Sequence, residues 1–143
     1  MPYLIDSDWV IDHLDDVPQA VALLDHLAAD GIAISIVTYM EVFQGRMRSP
    51  SQTEALQKLD QFLDAVPVLP FTRGVAQRCA KLRETLRTEG RRVNSRALDL
   101  LNAAIALENH LTLVTRNVDD YKDIPGLDIY NALPGIDPSR PAL

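Results

Sequence analysis

An α/β/α sandwich with a central parallel sheet is the fold class this sequence predicts, and three observations predict it. Short apolar runs rich in Ile, Leu and Val recur at residues 2–6, 32–36, 66–69, 111–114 and 127–130, each too short for a helix. Longer segments with helical apolar spacing separate them, as in strands joined by helical crossovers. The strand-like runs are apolar almost throughout, which suits strands covered on both faces.

The elements follow in chain order. Residues 2–6 form a buried strand ending at Asp6, and Ser7 caps a helix carrying Val10, Ile11 and Leu14 before Pro18 interrupts it. A second helix over 18–30 presents Val21, Leu24 and Leu27 and closes at Asp30-Gly31. Ile32 to Ile36 is β-branched enough for a strand. Thr38 caps a helix that contains Glu41 and runs to about Arg48, where Ser49-Pro50-Ser51 breaks it. Residues 51–65 make an amphipathic helix through Leu56, Leu59 and Leu63, and 66–69 a short strand between prolines. Thr72 to Glu89 is a basic helix ended by Gly90, with Val75, Cys79, Leu82 and Leu86 in one stripe, and 91–95 is a polar loop. The helix 96–109 is apolar on nearly every side and so belongs in the middle of a layer. Strands over 111–114 and 127–130 complete the sheet, and residues 134–143, with three of the nine prolines, form an extended tail.

With 143 residues, 47% of them apolar, the chain is one globular domain able to fold without staples. A single cysteine excludes an internal disulfide framework and a cysteine-based zinc cluster, and three dispersed histidines offer no ligand spacing. No apolar run reaches spanning length and no basic stretch precedes an apolar one at the N-terminus, so the expected location is soluble and cytoplasmic, with no membrane partner. The net charge of −6 argues against a generic nucleic-acid binder. Residues 73–96, however, hold eight of the fourteen basic residues against two acids, a net of +6 that leaves −12 elsewhere. A phosphate backbone gripped beside an acidic cleft would use such a segment, and so would an ordinary solvated helix.

Four acids fall where apolar runs give way to polar ones: Asp6, Glu41, Asp99 and Asp120. Open parallel sheets place ligands beyond the carboxyl ends of their strands. Acids gathered there repel one another unless a cation neutralises them, and oxygen ligands suit Mg²⁺ or Mn²⁺. Singly, each acid has an ordinary reading. Asp6 can cap a helix, Glu41 completes a capping box with Thr38, and Asp119 or Asp120 can be turn chemistry. Asp99 is harder to dismiss, because a helix N-terminus stabilises it by only about 0.3–1 kcal/mol against several for an unpartnered buried ion.

The runs Tyr-Leu-Ile-Asp6-Ser7-Asp8, Ile-Val-Thr38-Tyr-Met-Glu41-Val, Asp99-Leu-Leu-Asn-Ala-Ala-Ile-Ala-Leu and Leu-Val-Thr115-Arg116-Asn117-Val-Asp-Asp120-Tyr, followed by Ile-Pro125-Gly126-Leu, together resemble the PIN-domain ribonucleases. More closely, the set resembles the VapC toxins of bacterial toxin–antitoxin pairs, from residue 3 to about 130. The resemblance implies a PIN-like nuclease domain over residues 1–133 and a Mg²⁺- or Mn²⁺-dependent endoribonuclease that cleaves structured or loop RNA by metal-activated water. Asp6, Glu41 and Asp99 match the three core acids and Asp120 the fourth. Asp6 and Asp99 would be direct ligands, with Glu41 and Asp120 holding water, positioning a second metal or acting as base. Thr38, Thr115 and Asn117 match polar site residues, Arg116 could meet the scissile phosphate, and Arg87, Arg91 and Arg92 are the candidate RNA contacts of the basic segment. Asn102, Ile105 and Asp8 depart from the family pattern. A VapB-like antitoxin and a homodimer are implied as partners, with Trp9, Val10, Phe43 and Met47 as apolar residues a partner could cover. The alternative is a non-catalytic PIN-like domain that binds RNA or protein. A phosphoacceptor receiver domain fits poorly, since residues 66–70 carry no acid and Tyr130-Asn131 stands where its lysine would.

Overall fold

The computed structural model describes residues 2–130, so the predicted tail lies outside the described residues. Four strands, β1 (Tyr3–Ile5), β2 (Ile32–Ser35), β3 (Val68–Leu69) and β4 (Thr112–Val114), form one sheet in the order β3-β2-β1-β4. All pairings are parallel, with Leu4 opposite both Ala33 and Leu113, and Ile34 opposite Val68. The helices are α1 (Ser7–Leu14), α2 (Pro18–Ala28), α3 (Ile36–Met47), α4 (Gln52–Leu63), α5 (Arg73–Thr88) and α6 (Ala97–Glu108).

The pleat sends successive strand residues to opposite faces. Leu4, Ala33 and Leu113 join α5 and α6 in one core, around Leu86, Leu100, Ala103 and Ala104. Their neighbours Ile5, Ile34 and Val114 join α1, α2 and α4 in the other, around Trp9, Leu24 and Leu59. Each core excludes water from a whole sheet face, and at roughly 25 cal/mol per Å² of apolar area this is what holds the strands together. As the spacing predicts, α6 is buried along most of its length and the Val75, Cys79, Leu82 and Leu86 stripe of α5 faces it.

Several boundaries differ from the sequence reading, for local reasons. Asp6 and not Ser7 caps α1, accepting from the Ser7 backbone N–H at 2.9 Å. The third helix starts at Ile36, with Ser35 as its N-cap accepting from Thr38 N at 3.0 Å, so Thr38 lies inside the first turn and is not the cap. The polar loop at 91–95 contains the start of a 3-10 turn, Asn94–Arg96. Residues 127–130 do not form a strand. Ile129 makes one parallel bridge to Leu113, closed by Leu113 N to Asp128 O and Tyr130 N to Leu113 O, both 2.8 Å. Gly90 does end α5: at φ +74° it donates to Arg87 O, and Arg91 N reaches Leu86 O.

Of the residues read as partner-facing, Trp9 and Val10 are 1% and 0% exposed and belong to the core. Phe43 and Met47 are exposed, and with Ile36 and Met40 they form a solvent-facing apolar row along α3.

Candidate active site

The sheet order sets the site. From β1 the chain steps to β2 and β3 on one side, then crosses back to β4 on the other. The strands on either side of that reversal are β1 and β4. A ligand crevice opens at such a switch point, beyond the carboxyl ends of the strands. Asp6 follows β1 and Thr115 follows β4, and their side chains meet across the gap.

Asp6 is only 6% exposed. Its Oδ1 accepts from Ser7 N, and its Oδ2 accepts from Thr115 Oγ1 at 2.7 Å. Thr115 Oγ1 itself accepts from Asn117 N at 3.0 Å, which directs the threonine proton to Asp6. Burial pushes the Asp6 carboxyl above its ordinary range. Those two hydrogen bonds oppose the shift, and the charges of Asp8 and Asp99 add to it.

Glu41 sits in the second turn of α3, half-buried. Burial raises its carboxyl first, then the charges of Asp6 and Asp99, while the nearby Ser7 hydroxyl opposes the rise. Asp99, in the first turn of α6, is raised by burial and by Asp120, and is lowered by a hydrogen bond from Tyr121 and by Arg96 and Arg92. The Tyr121 hydroxyl lies 3.1 Å from Asp99 Oδ1, and burial pushes that phenol far above its ordinary range, so it remains a donor. Asp120 ends a 3-10 turn, Val118–Asp120, held by Arg96.

The chain therefore brings Asp6, Glu41, Asp99 and Asp120 to one edge, each close enough to another to feel its charge. Asp8 is exposed, and its charge reaches Asp6 and Glu41. Among the described residues, no group of three or more acidic, histidine or cysteine side chains is arranged to hold a metal ion by itself. The donor set is all oxygen and mutually repelling. Mg²⁺ is typically held by one or two carboxylates while keeping several waters, so a full protein cage is not what it requires.

The remaining sequence-predicted residues are divided. Thr38 is fully buried, and its hydroxyl has no partner among the described residues. Asn117 is exposed beside Thr115. Arg116 is not free: it pairs with Asp12, and its guanidinium stacks 3.9 Å over the Trp9 ring. Arg87 is tied to Glu84 one turn away, and Arg91 to Asp123 at 3.5 Å. Arg92 alone of the three acts electrostatically on a site acid, Asp99. Arg96, read only as part of the basic run, is buried and grips Asp123 with two hydrogen bonds of 2.7 and 2.8 Å and the Asp120 carbonyl at 2.6 Å. Ser35 and Tyr121 were invisible as site residues: one reads as strand, and the other is only the last residue of a motif run. An outlying groove between α5 and the far end of α6, lined by Gln77, Arg78, Lys81 and Leu107, contains none of these acids.

A family model described as the PIN domain matches residues 3–127. Ribonuclease VapC2 of Rickettsia felis is 29% identical over 133 residues, covering 92% of this chain and 98% of that protein. The tRNA(fMet)-specific endonuclease VapC of Shigella flexneri is 25% identical over 127 residues, covering 89% and 95%. Among solved structures, VapBC2 from Rickettsia felis bound to a DNA fragment from their promoter superposes with a TM-score of 0.81 at 28% identity, over 92% of this chain and 99% of that one. VapBC-5 from Mycobacterium tuberculosis, a member of the VapBC family of toxin-antitoxin systems, superposes with a TM-score of 0.64 at 27% identity, over 89% and 93%.

Proposed function

This chain belongs to the PIN-domain family, and from that premise we propose that it is a divalent-metal-dependent endoribonuclease, the toxin of a VapBC-type toxin–antitoxin pair. The observation that carries the reading is the gathering of Asp6, Glu41 and Asp99 at one sheet edge, where burial above all, and neighbouring carboxylates next, raise all three carboxyls. Packing three acids where burial and like charges make them harder to ionise costs stability, and a fold keeps such an arrangement when a cation relieves it.

Asp6 and Asp99 are assigned as the residues that hold Mg²⁺ or Mn²⁺, because both are fixed by hydrogen bonds at element ends. When bound, the cation supplies Lewis-acid activation of water and charge stabilisation at the phosphodiester. Glu41 and Asp120 bracket that position and are assigned to orient water or accept its proton. Burial and the charges of Asp6 and Asp99 raise the Glu41 carboxyl, which makes it a stronger base than an isolated carboxylate. Thr115 holds Asp6, and Thr38 lies fully buried one turn before Glu41. Asn117 and Arg92, both exposed at this edge, are assigned to the RNA, with Arg87, Arg91 and Arg116 reaching it only by exchanging their present partners.

The substrate class is structured or loop RNA, and the relative named as a tRNA(fMet)-specific endonuclease makes tRNA the first RNA to try. The partner is a VapB-like antitoxin, and the exposed α3 row of Ile36, Met40, Phe43 and Met47 offers it an apolar face of the kind a partner helix covers. A homodimer, cytoplasmic location and the 1–133 domain boundary complete the proposal. Among the described residues no helix is long and apolar enough to cross a membrane.

The test is cleavage of a folded tRNA by the purified chain with Mg²⁺ or Mn²⁺, in EDTA, and after mixing with the product of the neighbouring small gene. Cleavage that needs the metal and is suppressed by the partner supports the reading. A chain inert in metal and indifferent to that partner would leave the non-catalytic PIN-like reading in its place.

A further inference from the structure

Asp99 is held by a train of hydrogen bonds that starts in the backbone of α3, and the direction of every bond in it is fixed. The Thr38 N–H can only donate, and it donates to Ser35 Oγ at 3.0 Å. Ser35 places its single proton on Asn102 Oδ1, 2.6 Å away. With its oxygen engaged, the Asn102 amide presents Nδ2 to Tyr121 and donates to the phenol oxygen at 3.4 Å. The one proton of Tyr121 is then left for Asp99 Oδ1 at 3.1 Å. Ser35, Asn102 and Tyr121 are 0%, 2% and 1% exposed, so water does not compete for these groups.

We propose that Tyr121, aimed by Asn102 and Ser35, is the positioning residue for Asp99: it occupies Oδ1 and leaves Oδ2 as the oxygen that meets the cation. The inference rests on the metal-site reading above. Its physical basis is twofold. Asp99 lies within the field of Asp120, and a carboxylate on a rotatable side chain swings away from a like charge unless something holds it. A neutral donor on one oxygen holds it without cancelling the charge that binds the cation, and partners of this kind commonly tune metal affinity by about 10–100-fold. The train also ties the turn before Glu41 to the turn bearing Asp99, so two site-bearing helices share one polar joint. Asp6 is held in a parallel way, by Asn117 N through Thr115. The Asp99 train is longer and uses a residue, Asn102, at a position where the family resemblance leads one to expect an aliphatic side chain.

The experiment is Mn²⁺ titration of the purified chain, followed by the spin signal of free Mn²⁺, in a cycle of wild type, Tyr121→Phe, Asp99→Asn and the double variant. Tyr121→Phe removes one hydroxyl and keeps the ring, so thermal melting is expected to show a folded protein. The expected result is about a tenfold weaker Mn²⁺ affinity in Tyr121→Phe that disappears in the Asp99→Asn background, because the tyrosine acts only through that carboxylate. A loss of equal size in both backgrounds would mark a general structural defect and overturn the proposal, as would wild-type affinity in a folded Tyr121→Phe. If that variant does not fold, Asn102→Leu decides: a smaller loss that depends on Asp99 supports the train, and unchanged affinity overturns it. Wild-type binding that requires Asp99 but ignores Tyr121 overturns the positioning role alone. No Mn²⁺ binding, or binding indifferent to Asp99→Asn, overturns the metal-site reading and this inference with it.

Discussion

The acidic edge and the basic helix α5 carry charge in opposite ways. At the edge, Asp6 accepts from Ser7 N and Thr115, Asp99 accepts from Tyr121, and the side-chain donors are themselves aimed by further hydrogen bonds. Along α5 the charge is denser but looser. Arg87 and Glu84 satisfy each other within the helix, both sides well exposed, and Arg78 spans to Glu108 at 3.0 Å. Exposed pairs of that kind contribute about 0–1 kcal/mol and are screened by salt. The difference teaches that position distinguishes a held set of carboxylates from a charged surface. The fold commits buried hydrogen bonds to two carboxylates and leaves most of its arginines to solvent.

The sharpest way to break the comparison is to neutralise the edge. Asp6→Asn keeps the shape and removes one charge, so RNA cleavage in Mn²⁺ is expected to fall by about two to three orders of magnitude, a loss of several kcal/mol of transition-state stabilisation. The fold should persist, and the metal-free melting temperature should rise because one repelling charge is gone. Full activity in the folded variant would show that the edge is not the reactive centre.

Arg96 breaks the pattern from the other side, as a basic residue that is buried. Arg96→Ala leaves Asp123 and the Asp120 carbonyl without their main donor. The expected cost is about 2–3 kcal/mol, below the ~3–5 of a fully isolated buried pair because Arg91 remains as a second partner for Asp123. For a domain of this size that corresponds to a melting temperature lower by roughly 5–10 °C. Arg87→Ala should leave melting unchanged. Equal losses from the two variants would erase the distinction between buried and exposed arginines.

Protonation sharpens it further. The Asp6, Glu41 and Asp99 carboxyls are all raised in the folded chain, so the native state holds these protons more tightly than the unfolded one. Their contribution to stability is full below the unfolded carboxylate pKa of about 4, and is lost as pH rises through the higher folded values. Metal-free protein should therefore lose melting temperature between pH 4 and neutrality relative to Asp6→Asn, and Mn²⁺ should restore it at neutral pH. The difference between the two proteins isolates these groups from Asp123, which Arg96 holds below its ordinary range and which acts in the opposite sense. Superimposable profiles would mean the acids do not burden one another.

How far these contrasts could be read from the sequence depended on what each residue announces. The strands announced themselves, because β-branched runs between turn residues have few other fates, and Asp6 at the end of the first followed. Ser35 did not. Ile36 and Val37 prolong an apolar run, so the strand reads one residue too far, and the true cap is hidden inside it. Tyr121 closes a motif run in the sequence and is buried in the fold, and nothing in a hydrophobic pattern reveals where its hydroxyl points. The segment 127–130 looks like a strand by composition, yet the turn at Pro125-Gly126 leaves it touching β4 at one bridge. Side-chain partners on distant elements, such as Arg96 with Asp123 or Arg116 with Asp12, are set by packing that no local pattern records.

The smallest expected effect tests whether the basic helix touches RNA at all. Arg87, Arg91 and Arg92 lie at the C-terminal end of α5 and in the loop that leads back to Asp99, so a strand bound at the edge could run across them. Arg92 is the favoured contact, because its charge already acts on Asp99, whereas Arg87 and Arg91 must first leave Glu84 and Asp123. Removing one arginine from a phosphate of single-stranded RNA shallows the slope of log K against log salt by about 0.7. Arg92→Ala, measured by RNA binding in Ca²⁺ across a salt series, should change the slope by roughly that much. The triple alanine variant should change it by less than three times that amount, since two of its arginines exchange one ion pair for another. Lys58 and Lys122 serve as controls, for each is engaged with an aspartate 2.9 Å away and Lys58 also holds the Leu14 carbonyl. If their alanine variants shift the slope as much as Arg92→Ala does, the +6 segment is a solvated surface and the RNA takes another path to the acids.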